Sequence, residues 1–284
     1  MPPPSLYQLP PPAEAYHYIG AICLYLTTLA SGSSGNCLLL SGGSTHLLLD
    51  AGISARRITR ALRDLDLSPN ELSGILITHE HADHIAGLAT LTKHCALPIY
   101  ASGGTARQLC CRIPAAEALL RPFCPGSTLE VGDFEVSTFP TLHDTPESVG
   151  YALTDGRRSA AVVTDLGMVT DQVRRRVAGC HLLVVETNHD PDWVRSGPYP
   201  PFLKMRILGD RGHLSNQAGG ELACLAVEAG ARTVVLAHLS AENNAPWRAM
   251  ETVACCLDGM GAQPGGDVQV AVAPRAETGR RYEV

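Results

Sequence analysis

Charged residues are scarce in this chain of 284. Asp, Glu, Lys and Arg together make up 18% against 45% hydrophobic residues, a balance that can bury a sizeable core and excludes wholesale disorder. Positive charge is the scarcer sign. With 22 Lys and Arg against 28 Asp and Glu, the formal net charge is -6. That excludes a broadly basic coat for nucleic acid, although a local cluster such as Arg174, Arg175 and Arg176 could still meet phosphate. No Lys or Arg precedes the first apolar stretch in "MPPPSLYQLPPPAEAYHY", so the positive start of a secretory signal is missing. The apolar residues 19–30 are too few to span a bilayer. The ten cysteines contain no Cys-x-x-Cys, and Cys110–Cys111 and Cys255–Cys256 are sequence neighbours. Set in apolar patterns, they read as reduced, buried thiols of a cytoplasmic protein rather than a disulfide framework. No repeat or linker stands out after residue 20. The expected organisation is a Pro-rich, disordered leader over residues 1–20 and a single domain over residues 21–284.

Short β-rich runs alternate with helical patterns. "GILIT" (74–78), "FEVSTF" (134–139), "AAVVTD" (160–165), "LLVVET" (182–187), "TVVLAH" (233–238) and "VQVAVA" (268–273) have strand character, and "HLLLDAG" (46–52) ends a strand in a turn. "ISARRITRALRDL" (53–65) and "SNQAGGELACLAVEAG" (215–230) have helical spacing. Several strands finish on Asp, Glu or His. In an α/β architecture such residues converge outside the carboxyl ends of the strands although they are far apart in sequence.

The densest chemistry lies in "ILITHEHADHIAGL" (75–88), where three histidines and two carboxylates occupy six consecutive positions after an apolar run. A zincin helix needs His-Glu-x-x-His, and the fifth position from His79 is Asp83, so that pattern fails. On an extended strand end His79 and His81 point the same way, and Asp83 with His84 follows one turn later, able to face a second ion. A two-metal site needs about three or four protein ligands per ion, so this loop is half a site. His143, Asp165 and His238, each after a strand, are the candidates for the rest.

The order His-x-His-x-Asp-His, His143, Asp165, His238 resembles the metallo-β-lactamase superfamily, over residues 24–275. The resemblance implies an α/β (α+β) fold of αββα type, a four-layer sandwich of two mixed β-sheets flanked by helices. It implies two divalent metal ions per chain, Zn²⁺ or Mn²⁺, one held by His79, His81 and His143, the other by Asp83, His84 and His238, with Asp165 between them. It also implies that Asp50 orients the histidine loop by hydrogen bonds. Flavo-diiron oxidoreductases of the superfamily carry Glu where this chain has His81, so the expectation is hydrolysis, with Asp83 orienting or deprotonating the attacking water.

Three further stretches suggest the substrate. "LASGSSGNCLLL" (29–40) offers Ser33, Ser34, Asn36 and backbone N–H groups as a nest for phosphate oxygens. "VVETNHD" (184–190) and "YPPFLKMRILGDRGHLSN" (199–216) carry Glu186 and His213, a carboxylate-held histidine suited to protonating an alkoxide leaving group. Lys204 and Arg206 are candidates to hold phosphate, Asn243 in "AHLSAENNAP" (237–246) to contact substrate, and of the other histidines His189 is expected nearest the site. Together these stretches are similar to the WalJ (YycJ) branch of the superfamily, whose members are described as 5′→3′ double-stranded DNA exonucleases or phosphodiesterases. The resemblance thus implies a DNA substrate and a role for Glu186 and His213 in leaving-group protonation. Only 72 residues (166 to 237) separate Asp165 from His238, too few for the long insertion of the β-CASP nucleases. The alternative on the same fold is a small-molecule hydrolase, a thioesterase, lactonase or small-phosphodiester enzyme, which the acidic net charge mildly favours.

Overall fold

The computed structural model describes residues 23–284; the expected Pro-rich leader lies outside the described residues. Two seven-stranded sheets form the frame. The first runs in the order β14 (Arg281–Glu283), β1 (Tyr25–Ala30), β2 (Cys37–Gly42), β3 (Thr45–Leu49), β4 (Gly74–Leu76), β5 (Ile99–Ser102), β6 (Leu120–Phe123). The second runs β13 (Gln269–Val272), β12 (Thr233–Ala237), β11 (Leu182–Glu186), β10 (Ser159–Val163), β9 (Val149–Thr154), β8 (Phe134–Pro140), β7 (Thr128–Val131). Both are mixed. In each sheet a parallel set (β3 to β6, and β10 to β13) continues into an antiparallel one.

Strand periodicity sorts the apolar residues into three cores. Leu47 and Leu49 of β3 point into a layer between the sheets, where they share a core with Leu76, Phe134, Tyr151, Val162 and Val184. Leu48, one residue out of phase, packs on the opposite face under α1 (Ala55–Arg63), with α2 (Ala82–Ile85), α3 (Leu88–His94) and α4 (Gly103–Arg112) on the same side. The outer face of the second sheet, through Ala161, Val163, Leu183 and Val185, is covered by α5 (Asp171–Val177), α8 (Asn216–Glu228) and α9 (Pro246–Gly259). Two short helices, α6 (Pro191–Ser196) and α7 (Pro201–Leu208), precede α8. The layers are therefore helix, sheet, sheet, helix. Each fully buried Leu or Val contributes about 1.5–3 kcal/mol, and β4, β11 and β12, buried at every position, give firm support to a site at their ends.

Cys37, Cys95 and Cys180 are buried as expected, but Cys111, Cys124 and Cys255 are exposed. Cys111 and Cys255 occupy outward positions of α4 and α9, so apolar neighbours in sequence do not translate into burial. No disulfide joins the described cysteines. Among the described residues no helix is long and apolar enough to cross a membrane.

Candidate metal centre

The polar strand ends converge at one edge of the sandwich. Asp50 follows β3, His79 follows β4, His143 follows β8, Asp165 follows β10, Glu186 ends β11 and His238 follows β12. Three of these take the left-handed backbone conformation, with φ of 62° at Asp50, 59° at Asp165 and 56° at His238. For residues other than glycine this costs of order 1–3 kcal/mol each and persists only where the surroundings enforce it. Here the buried strands hold each turn so that its side chain swings into the site.

The loop after β4 starts extended and closes in the single turn of α2, with His81 at its N-cap and Asp83 and His84 inside it. Backbone bonds fix its height: Asn36 N–H donates to the Asp83 carbonyl (2.7 Å) and Ala51 N–H to the His84 carbonyl (2.8 Å). A Cβ on Gly52 would overlap the Asp83 carbonyl, so this close approach requires glycine.

Two groups of donors result. One ligand atom from each of His79, His81 and His143 lies within 4.8 Å of the others, and the same holds for Asp83, His84 and His238. Asp165 joins His79 and His84 in a third group, which puts it between the first two. In the first group neutral partners orient the rings: His79 Nδ1 is 3.0 Å from Thr78 Oγ1, and His143 Nδ1 donates to the Gly212 carbonyl at 3.0 Å. In the second the partners are carboxylates. His84 Nδ1 lies 2.7 Å from Asp50 Oδ2, and His238 Nδ1 lies 2.7 Å from Glu186 Oε1. Asp50 also accepts from the Thr78 N–H (2.9 Å). Glu186 is fully buried; its Oε1 is shared with His213 Nδ1 (2.9 Å), and its Oε2 accepts the N–H groups of Leu166 and Leu214.

The electrostatics differ accordingly. Burial, with His84 nearby, holds His79 well below the usual histidine range, and burial likewise lowers His81 and His143. Burial opposes protonation of His84 and His238 too, yet Asp165 and Asp50 raise His84 well above its ordinary value, and Asp165, Asp83 and Glu186 push His238 up to about 10. Burial would raise the Asp83 carboxyl, but hydrogen bonds from His238 and His84 hold it far below the carboxylate range.

A pair of divalent cations fits this donor set. The buried Nε2 atoms of His79 and His143 have no hydrogen-bond partner among the described residues. The ion partners of Asp50, Asp83, Asp165 and Glu186 among the described residues are all histidines, so the positive charge that buried carboxylates need comes from rings that are themselves ligand types.

A cavity of about 170 Å³ opens beside the first group, lined by Ser33, Asp144, Tyr199, Arg206, His213 and Ser240 among others. Of the expected substrate contacts, Ser33 lies on this wall and Ser34 is exposed beside it. Asn36 is buried, its amide 3.2 Å from His84 Nε2; it braces His84 and Asp83 rather than lining the cavity. The expected N–H nest is largely used up internally, since the N–H groups of Gly32, Gly35 and Asn36 bond to Asn36 Oδ1, the Gly32 carbonyl and the Asp83 carbonyl. Lys204 is turned away, its Nζ donating to the Arg195 carbonyl at 2.7 Å. The reason is helical phase: Leu203, Arg206 and Ile207, spaced i, i+3, i+4 on α7, share the face that lines the cavity. Asn243 is 1% exposed and absent from that lining, because the Ser240 hydroxyl ties its N–H into a closed turn. His189 is buried behind Glu186, and burial lowers it to about 4. Asp144, Asn188, Tyr199 and Ser240 on the cavity wall were not singled out from the sequence, although Asn188, Tyr199 and Ser240 lie in stretches that suggested the substrate and Asp144 directly follows His143.

A family profile for the beta-lactamase superfamily domain matches residues 45–239. The chain is 36% identical over 241 residues to exodeoxyribonuclease YycJ of Bacillus anthracis, covering 84% of this chain and 90% of that one. It is also 36% identical over 221 residues to exodeoxyribonuclease WalJ of Streptococcus pneumoniae, covering 76% and 81%. Among solved structures, the metallo-β-lactamase-fold protein YhfI of Bacillus subtilis superposes with a TM-score of 0.70 at 18% identity, over 92% of this chain and 100% of that one. At that identity the likeness concerns the fold alone. The profile spans more than half of the chain and both exodeoxyribonucleases align along most of it, so the chain belongs to the metallo-β-lactamase superfamily.

Proposed function

We propose that this protein is a dinuclear metal-dependent phosphodiesterase acting on nucleic acid, specifically a 5′→3′ DNA exonuclease working in the cytoplasm. Two divalent ions, Zn²⁺ or Mn²⁺, would supply Lewis-acid activation of water and neutralise phosphate charge. His79, His81 and His143 would hold one, Asp83, His84 and His238 the other, and Asp165 both.

The observation that carries the reading is the pair His213–Glu186, with His213 on the cavity wall and Glu186 buried behind it. With Nδ1 bonded to the buried Glu186 carboxylate, His213 on the cavity wall has Nε2 left to serve as the proton donor that a general acid supplies. An alkoxide leaving from phosphate requires that proton, whereas a thiolate leaves without it. Glu186 touches no substrate itself; it is a positioning residue, for His213 and His238 at once. Asp83, ionised and with its side chain 25% exposed, would orient the attacking water, and Ser33 and Arg206, which line the cavity, would supply the phosphate contacts that Lys204 does not. The exodeoxyribonuclease names of the two 36%-identical relatives favour DNA over a small phosphodiester.

Purified protein with Mn²⁺ should shorten a 5′-phosphorylated, end-labelled duplex progressively from its 5′ end, and Asp83→Ala should not. His213→Ala should slow DNA cleavage by about 10²–10⁴-fold while sparing a nitrophenyl phosphodiester, whose leaving group needs no proton. Equal losses on both substrates remove His213 from the acid role. A metal-loaded protein that leaves the duplex intact and turns over thioesters moves the reading to the thioesterase or lactonase class.

A further inference from the structure

Asp144, directly after His143, faces His81 and His143 of the first donor group with one carboxylate oxygen and α7 with the other. Its Oδ1 lies 3.5 Å from His81 Nε2 and 3.3 Å from His143 Nε2. Two ligand atoms about 2.1 Å from one tetrahedral ion stand about 3.4 Å apart. The second donor group shows the same spacing, with His84 Nε2 3.5 Å and His238 Nε2 3.4 Å from Asp83 Oδ2. A hydrogen bond is a poorer account of the contact, because His143 Nε2, whose ring already donates through Nδ1 to Gly212, forms none among the described residues.

The other oxygen points outward. Asp144 Oδ2 accepts from Arg206 Nε at 2.6 Å, and Arg206 stands on the cavity wall. The helix that carries Arg206 has no fully buried residue of its own, so polar ties help to set its position. They are the Arg206–Asp144 pair, the Lys204 bond to the Arg195 carbonyl and, just past the helix, Arg211 donating to the carbonyls of His143 (2.9 Å) and Thr145 (3.2 Å). Two of these three ties end on the segment that carries His143 and Asp144.

We propose that Asp144 is a further protein ligand of the ion held by His79, His81 and His143, and that through Arg206 it fastens α7, and so the substrate wall, to that ion. The proposal rests on the two-ion part of the reading above and not on the choice of DNA as substrate. One carboxylate then has two duties: Oδ1 completes the oxygen and nitrogen shell of the first ion, while Oδ2 keeps a guanidinium at the distance from which it meets phosphate. Loading the metal would thereby order the wall that receives the substrate.

The test uses the metal alone. The full-length protein, stripped of metal, is titrated with Mn²⁺ by calorimetry as wild type, Asp144→Asn and His81→Ala. Two binding steps are expected for wild type. Asp144→Asn should weaken by about 10–100-fold the same step that His81→Ala removes, and leave the other step within about threefold. In parallel, amide exchange over residues 201–208 should slow when Mn²⁺ is added to wild type and change far less in Asp144→Asn and in Arg206→Ala. Unaltered affinities in Asp144→Asn overturn the ligand assignment. So does equal weakening of both steps, or a tighter first step, which would make the carboxylate a competitor of the ion. If α7 exchange ignores Mn²⁺ in wild type, the tie to the substrate wall is wrong. Should Asp144→Asn fail to fold, the exchange of wild type against Arg206→Ala still decides the second half. A protein inert toward DNA that gives these titrations refutes the nuclease reading and leaves Asp144 where it is placed here.

Discussion

The two halves of the candidate metal centre hold their histidines in opposite ways. In the first half His79 and His143 lean on a hydroxyl and a backbone carbonyl, and burial keeps the rings neutral. His81 is the loosest, with its side chain 29% exposed at the start of a four-residue helix. In the second half His84 and His238 are each clasped at Nδ1 by a buried carboxylate, and the surrounding acids draw protons onto both rings. A neutral mount lets a ring be rebuilt around whatever ion arrives, whereas a charged mount fixes the ring before any ion does. The second half should therefore matter to the stability of the protein, and the first mainly to its affinity for metal.

The largest effect expected from this contrast is that of Asp50→Ala. It removes the acceptor for His84 Nδ1, the Thr78 N–H and the Thr78 hydroxyl together, at a position 1% exposed. Taking one partner from a buried ion pair costs about 3–5 kcal/mol, and denaturant unfolding of the metal-free protein should show a loss of that size. His81→Ala, on the loose side, should cost less than about 1 kcal/mol in the same assay, as part-exposed polar groups do. Equal losses would mean that the two mounts are not different in kind.

Glu186→Gln comes next. The two oxygens of Glu186 accept from four groups, two imidazoles through Oε1 and two backbone N–H groups through Oε2. A carboxamide cannot replace it, because its NH₂ must face either the two rings or the two N–H groups, setting donor against donor. The second ion should bind about 10–100-fold more weakly, with the first within about threefold. Because His213 loses its partner in the same substitution, the turnover number on DNA should fall further than metal occupancy explains. If activity is recovered in full by saturating Mn²⁺, Glu186 serves His238 alone.

Much of this arrangement was legible in the chain before any fold was known. Ligand type and position made His79, His81, Asp83, His84, His143, Asp165 and His238 candidates, because a strand end lets a polar side chain leave a core and meet others like it, but it was the motif order shared with the superfamily that grouped them into two sets. The two sheets followed from the family resemblance rather than from the strand patterns, since nothing in "GILIT" or "AAVVTD" says which sheet it joins. What stayed hidden depends on direction. Lys204 and Arg206 are equally basic and two residues apart, and only the phase of α7 decides which one reaches the cavity. Asn36 read as a substrate contact because the bond that buries it, from its N–H to the Asp83 carbonyl, spans 47 positions. The N–H nest is reduced for the same reason: a Ser/Gly loop advertises free N–H groups, and the acceptors of Gly32, Gly35 and Asn36 lie in the loop itself and across the site. Asp144 was passed over because its partner, Arg206, is 62 positions away.

The smallest of the expected effects, and the sharpest test of the contrast, is that of Thr78→Val. The Thr78 hydroxyl lies 2.9 Å from Asp50 Oδ2, 3.0 Å from His79 Nδ1 and 3.2 Å from His84 Nδ1, so it touches both halves. It has one proton to donate, and the carboxylate takes it. Towards His79 it must therefore be the acceptor, holding that ring with Nδ1–H inward and Nε2 toward the ion. Valine keeps the shape and the backbone bond to Asp50 but leaves His79 Nδ1–H buried without an acceptor, at a cost of about 1–3 kcal/mol. His84 loses little, because Asp50 still holds it at 2.7 Å. Calorimetric titration with Mn²⁺ should thus show the first step, the one abolished by His81→Ala, weakened by about tenfold, and the second unchanged. A loss confined to the second step would mean that the hydroxyl serves His84 and that the two halves share one mount.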